Sequence, residues 1–133
     1  MEEIKEIKEI SEGKNYNSFS GYLIRTNEQE IKMLISGGQQ CCECWGYFLT
    51  EDDVESFIGS DFLGLSLTDT SLNEAKMEEN DVGKGQWYEG GIMFVDIKTN
   101  KGVLQFVAYN QHNGYYGHEA KVVSRDLNHI EIL

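Results

Sequence analysis

A chain of 133 residues, 40% of them hydrophobic, carries 23 acidic against 11 basic side chains and a formal charge of −12. That is one domain with apolar material for one core, and the lack of a basic face argues against DNA or RNA polymers as partners. No apolar run approaches the roughly 20 residues of a membrane helix, and the charged opening MEEIKEIKEI is no secretory signal, so a cytoplasmic protein without a membrane partner is expected.

In chain order, isoleucines 4, 7 and 10 recur every three residues. Such spacing suits one face of a helix, although an edge strand or a frayed arm also fits, so residues 1–14 read as an N-terminal arm or short helix. Ser18–Thr26 and Ile31–Ser36 then read as strands around the polar turn Asn27-Glu28-Gln29-Glu30.

The three cysteines, Cys41, Cys42 and Cys44, form one cluster without the paired spacing of a zinc ribbon. A metal would need a further ligand such as His112 or His118. Buried thiols are the commoner fate, so no metal and no cofactor are expected. Directly after them, Trp45-Gly46-Tyr47-Phe48 gathers aromatics that serve either as core anchors or as shelves for a flat ring.

Thr50 followed by Glu51-Asp52-Asp53 reads as a capped helix start, with Val54, Phe57 and Ile58 inward and Gly59 as the stop. Phe62–Asp69 alternates like a half-buried strand, and Ser71–Gly85 reads as a short helix or mobile loop. Gly91–Thr99, the turn Asn100-Lys101-Gly102 and Val103–Asn110 make the clearest hairpin, and Glu119–Ser124 resumes an extended pattern. The sum is one α+β domain, an antiparallel β-sheet with one or two helices packed on a face.

Between the last two extended runs lies Tyr109-Asn110-Gln111-His112-Asn113-Gly114-Tyr115-Tyr116-Gly117-His118. Asn113-Gly114 alone is a turn signal. The surrounding amides, imidazoles and phenols exceed what a turn needs, and glycines let a ligand approach the backbone. Two histidines can serve as acid and base near neutrality. No serine-nucleophile motif, phosphate-binding loop or H-E-x-x-H pattern accompanies them, so the stretch reads as a binding wall rather than a reactor.

Taken together, Gln39-Gln40-Cys41-Cys42-Glu43, Trp45-Gly46-Tyr47, Glu51-Asp52-Asp53 through Gly59, and Gln105–His118 resemble the small phage proteins known as Thoeris anti-defence sponges of the first-described type. The resemblance runs from about Gly21 onward and rests on the ordered set of segments. It implies a non-enzymatic protein that sequesters a cyclic ADP-ribose isomer made by a bacterial TIR-domain enzyme during infection, which silences the downstream NAD-degrading effector. It also implies a homodimer or dimer-built hexamer, with cyclic oligonucleotides bound at a second site in some members.

Candidate ligand-binding residues are chosen on their chemistry. Arg25 and Arg125 would offset phosphate charge, and Trp45, Tyr47, Tyr115 and Tyr116 would stack on adenine. Asn110, His112 and Asn113 would meet ribose hydroxyls or the base edge, with His118 alongside. Two other readings compete. One is a hydrolase of a cyclic nucleotide or ADP-ribose derivative acting through His112 and His118; the other is a structural or partner-binding protein.

Overall fold

The computed structural model describes residues 1–13, 18–37, 43–80, 89–112 and 117–133. Strands β1 (Ile4–Glu12), β2 (Phe19–Thr26), β3 (Glu30–Ser36), β8 (Glu119–Val123) and β9 (Asn128–Ile132) form one antiparallel sheet in the order β1-β2-β3-β8-β9. Strands β4 (Glu43–Leu49), β7 (Gly102–His112), β6 (Glu89–Thr99) and β5 (Phe62–Thr68) form a second, ordered β4-β7-β6-β5. The antiparallel, single-domain expectation holds. The sheet is divided in two, however, and strand dominates the helical contribution.

The two sheets share one core. Ile24, Met33 and Ile35 of the first meet Val95, Leu104 and Phe106 of the second, all fully buried. Truncating a side chain like Phe106 in such a core costs about 3–5 kcal/mol. On the far side of the second sheet, Phe48, Phe94, Val107 and Tyr109 make a smaller cluster under Met77. Met77 belongs to α1 (Glu74–Glu79), whose first turn is capped by the Asn73 side chain accepting from the Lys76 N–H at 3.1 Å. The polar stretch after Ser71 therefore supplies the helix packed on a face.

One open alternative is decided and one local expectation is corrected. Of the readings offered for the N-terminal isoleucines, the structure shows the edge strand and not the helix. Ile4 and Ile7 both face the core because the register with β2 shifts between Ile4 and Glu6. A bulge adds one residue to a two-residue period and so imitates a spacing of three.

The helix expected from Thr50 is only a single 3-10 turn, Val54–Phe57. Thr50 is buried and its hydroxyl accepts from the Gln105 N–H at 3.1 Å, so it fastens the chain to β7 instead of capping a helix. Gly59 and Ser60 bond the backbone of Ile4, which stops any further helical turn. Val54 and Phe57 do pack on the core, whereas Ile58 is exposed. No helix among the described residues is long and apolar enough to cross a membrane.

Candidate functional site

Side-chain alternation along β4 sends Trp45, Tyr47 and Leu49 inward and Phe48 outward. Trp45 is paired in register with Asn110 of β7, and Asn110 in turn with Gly91 of β6. This row forms the end of the sandwich's inner face. His118, just before β8 of the other sheet, lies against Trp45, ring centroids 4.8 Å apart and planes 27° from parallel. His118 is 3% exposed.

The polar groups at this end are tightly engaged. His118 exchanges backbone hydrogen bonds with Leu133, at 3.1 and 2.8 Å, and Asn110 Nδ2 donates to the Leu133 carbonyl at 3.1 Å. His118 Nδ1 lies 2.5 Å from the Ser36 carbonyl. A carbonyl only accepts, so Nδ1 carries the proton and the tautomer is fixed. One donor is left over: among the described residues the buried Trp45 Nε1 has no acceptor. Such groups are uncommon in folded proteins and point to a missing partner.

Tyr47 sits deeper between the sheets. Its ring stacks on Phe106 at 6.3 Å and meets Tyr22 edge-on at 5.9 Å. Its hydroxyl donates to Glu9 of β1. Burial first, then the adjacent Glu9 carboxylate, pushes the Tyr47 phenol well above its ordinary range. This tyrosine is a tie between sheets.

Both arginines sit at the opposite end, where the β2–β3 turn lies. Arg25 Nε approaches Glu6 at 3.5 Å on the first sheet. Arg125 reaches Glu2 at 2.9 Å, Asp126 at 3.0 Å and Glu28 at 3.3 Å. Neither offsets charge near Trp45. The structure thus brings Trp45, Asn110 and His118 together, with His112 ending the adjoining strand β7, and leaves Arg25 and Arg125 a strand's length away. Asn113, Tyr115 and Tyr116 lie outside the described residues, as do Cys41 and Cys42. Among the described residues no three His, Cys, Asp or Glu side chains converge as metal ligands.

Sequence reasoning missed Ser36 and Leu133, which hold His118 and Asn110 through backbone atoms. No side-chain signal marks a backbone acceptor. A shallow depression lined by Leu67, Thr68 and Asp69 lies on β5, the edge of the second sheet farthest from Trp45, and holds none of the candidates.

These features define the class: an antiparallel two-sheet domain whose inner face ends in an aromatic and amide row, with a buried indole donor that has no acceptor among the described residues. Residues 3–122 match the family described as a domain of unknown function, DUF7448, and the chain belongs to that family. No curated protein and no solved structure matches it.

Proposed function

We propose that the protein is a non-catalytic binder, and that it holds a cyclic ADP-ribose-type nucleotide intact, as the sequence resemblance implies, in the cytoplasm of an infected bacterium. The Trp45 indole donor carries the reading, because a buried N–H without an acceptor is satisfied when a ligand oxygen or ring nitrogen arrives. Asn110 beside it adds amide chemistry suited to a ribose or a base edge.

The hydrolase alternative is weakened at His118. Its Nδ1 is held by the Ser36 carbonyl and its ring lies against Trp45, so the imidazole already has a structural role. With both arginines at the other end, the phosphates in this reading are met by backbone N–H groups, as in anion-binding concavities.

Calorimetry against a panel of cyclic ADP-ribose isomers and cyclic trinucleotides tests the reading, followed by heat denaturation and recovery of the ligand. Tight binding of one isomer with intact recovery is expected. Fragments would establish the hydrolase, and failure to bind any of the panel would overturn the nucleotide assignment.

A further inference from the structure

Among the described residues the first sheet ends at β1, whose Ile4 end is bonded by Gly59 and Ser60, and at β9, which pairs with no strand but β8. The chain treats these edges differently. At β1 the edge is studded with Lys5, Glu6, Lys8, Glu9 and Glu12 and broken by a bulge, features that discourage strand addition. β9 has no bulge, and its one carboxylate is Glu131. Its pairing with β8 is regular from Asn128 to Ile132, and Ile130 and Ile132 are 62% and 69% exposed. Val123 beside them is 42% exposed on the same outer face. A regular edge bearing exposed isoleucines is a template for another strand.

The backbone of β9 shows which strand fits. His118 and Leu133 exchange both backbone bonds, and the same register continues along β8 and β9. Alternation then directs Glu131 and His129 toward β8, and turns the N–H and C=O groups of Asn128, Ile130 and Ile132 to the free edge. An antiparallel copy centred on Ile130 sets Ile130 opposite Ile130 and Asn128 opposite Ile132. All of those outward groups are then paired.

In the same register His129 falls opposite Glu131 of the copy, at the non-hydrogen-bonded positions where side chains approach most closely. These two already interact within one chain at 2.5 Å, so the pairing closes a ring of alternating imidazoles and carboxylates. Centring on Glu131 would oppose two carboxylates, and centring on His129 would oppose two imidazoles and shorten the overlap.

We infer that β9 is a self-association edge, pairing antiparallel with β9 of a second copy about an axis at Ile130, so that two five-stranded sheets become one continuous sheet. The interface is isologous, as a two-fold dimer requires. It stands on the sheet edge alone and does not depend on the ligand proposed above.

Sedimentation velocity over a dilution series tests it. The unmodified chain should be dimeric in the micromolar range, and Ile130→Lys should be a folded monomer whose melting temperature matches that of the unmodified chain diluted below its dissociation constant. His129→Glu should raise the dissociation constant about tenfold or more through like-charge contact. Adding Glu131→Lys to His129→Glu should restore association, because the opposed pair is then Glu with Lys. An unmodified chain that remains monomeric at the highest concentration would overturn the inference. So would a dimer indifferent to Ile130→Lys, and failure of the double substitution to restore association would overturn the register.

Discussion

Trp45 of β4 and His118, the residue before β8, lie ring on ring, 4.8 Å between centroids, with the imidazole held by Ser36 and the indole donor without an acceptor among the described residues. The imidazole is bonded within the fold, and the indole donor has no acceptor among the described residues. That division separates what each substitution should do.

Trp45→Phe keeps a ring against His118 and removes only the indole N–H, apart from a loss of size. If the ligand accepts that hydrogen bond, affinity should fall by about 0.5–1.5 kcal/mol, roughly a factor of two to ten. Calorimetry and a thermal melt on the same preparation check it. A melting temperature that holds while affinity drops assigns the donor to the ligand, whereas unchanged affinity would remove Trp45 Nε1 from the contact.

At His118 the expected effect is on folding. Asparagine can place its amide nitrogen near the position of Nδ1 and keep the bond to Ser36, while alanine cannot. His118→Ala should cost about 1–3 kcal/mol for the buried carbonyl left unpaired, and His118→Asn should recover a measurable part of that. Urea denaturation of both variants measures the difference. If both fold like the parent yet ligand breakdown appears only in the parent, the imidazole is a catalyst and the binder reading fails.

Gln105 is a fully buried amide whose contacts span three segments. Its nitrogen donates to the Thr70 carbonyl at 2.9 Å and to Asp96 at 2.8 Å, and its oxygen accepts from Leu72 N–H at 3.0 Å. These bonds lash the approach to α1 onto the second sheet. Gln105→Met preserves volume but strands the partners, so a loss of about 2–4 kcal/mol is expected from groups of this kind. Hydrogen exchange should show α1 loosening before the core strands. A variant with parental stability would mean that the lashing is replaceable by water.

Much of the fold was legible because alternation is a strong signal wherever one face of a strand is buried. Ile31–Ser36, Phe62–Asp69 and the Gly91–Asn110 hairpin appear as strands close to the bounds expected. The helix after Thr50 was misjudged because capping chemistry is local, whereas the bond between Thr50 and Gln105 is a contact across 55 positions of sequence. At β1 the helical alternative stayed open because the bulge turns a strand's period into something helical.

For the site, three of the residues chosen by type, Trp45, Asn110 and His118, are brought together by the fold. Residue type could not show that Arg25 and Arg125 are claimed by Glu6 and Glu2 at the other end. Charge identifies a candidate for phosphate, but only topology says where it stands.

The Glu2–Arg125 cluster yields the last prediction, a dependence of stability on acid. Glu2 is 8% exposed, and its carboxylate accepts from Thr26 Oγ1 at 2.6 Å, Gln29 Nε2 at 2.9 Å and Arg125 at 2.9 Å. Burial alone would raise its pKa. The three hydrogen bonds and the guanidinium charge outweigh burial and hold the carboxyl below its ordinary 4.5. Asp126, bonded to the same guanidinium, is lowered as well.

A carboxyl with a depressed folded pKa stabilises the protein at any pH above its unfolded value, and that contribution is lost as pH falls through the folded one. The unmodified chain should therefore lose stability as pH drops below about 4.5. Glu2→Gln should be less stable at neutral pH by roughly 1.5–3 kcal/mol, the range for a hydrogen bond to a charged group. On acidification it should lose less, because one of the titrating groups is gone. The two stability curves, measured by urea denaturation from pH 7 to pH 3, should converge toward the acid end. Curves that stay parallel would show that Glu2 titrates alike in the folded and unfolded chain, and only curves that coincide would show that its cluster adds nothing at neutral pH.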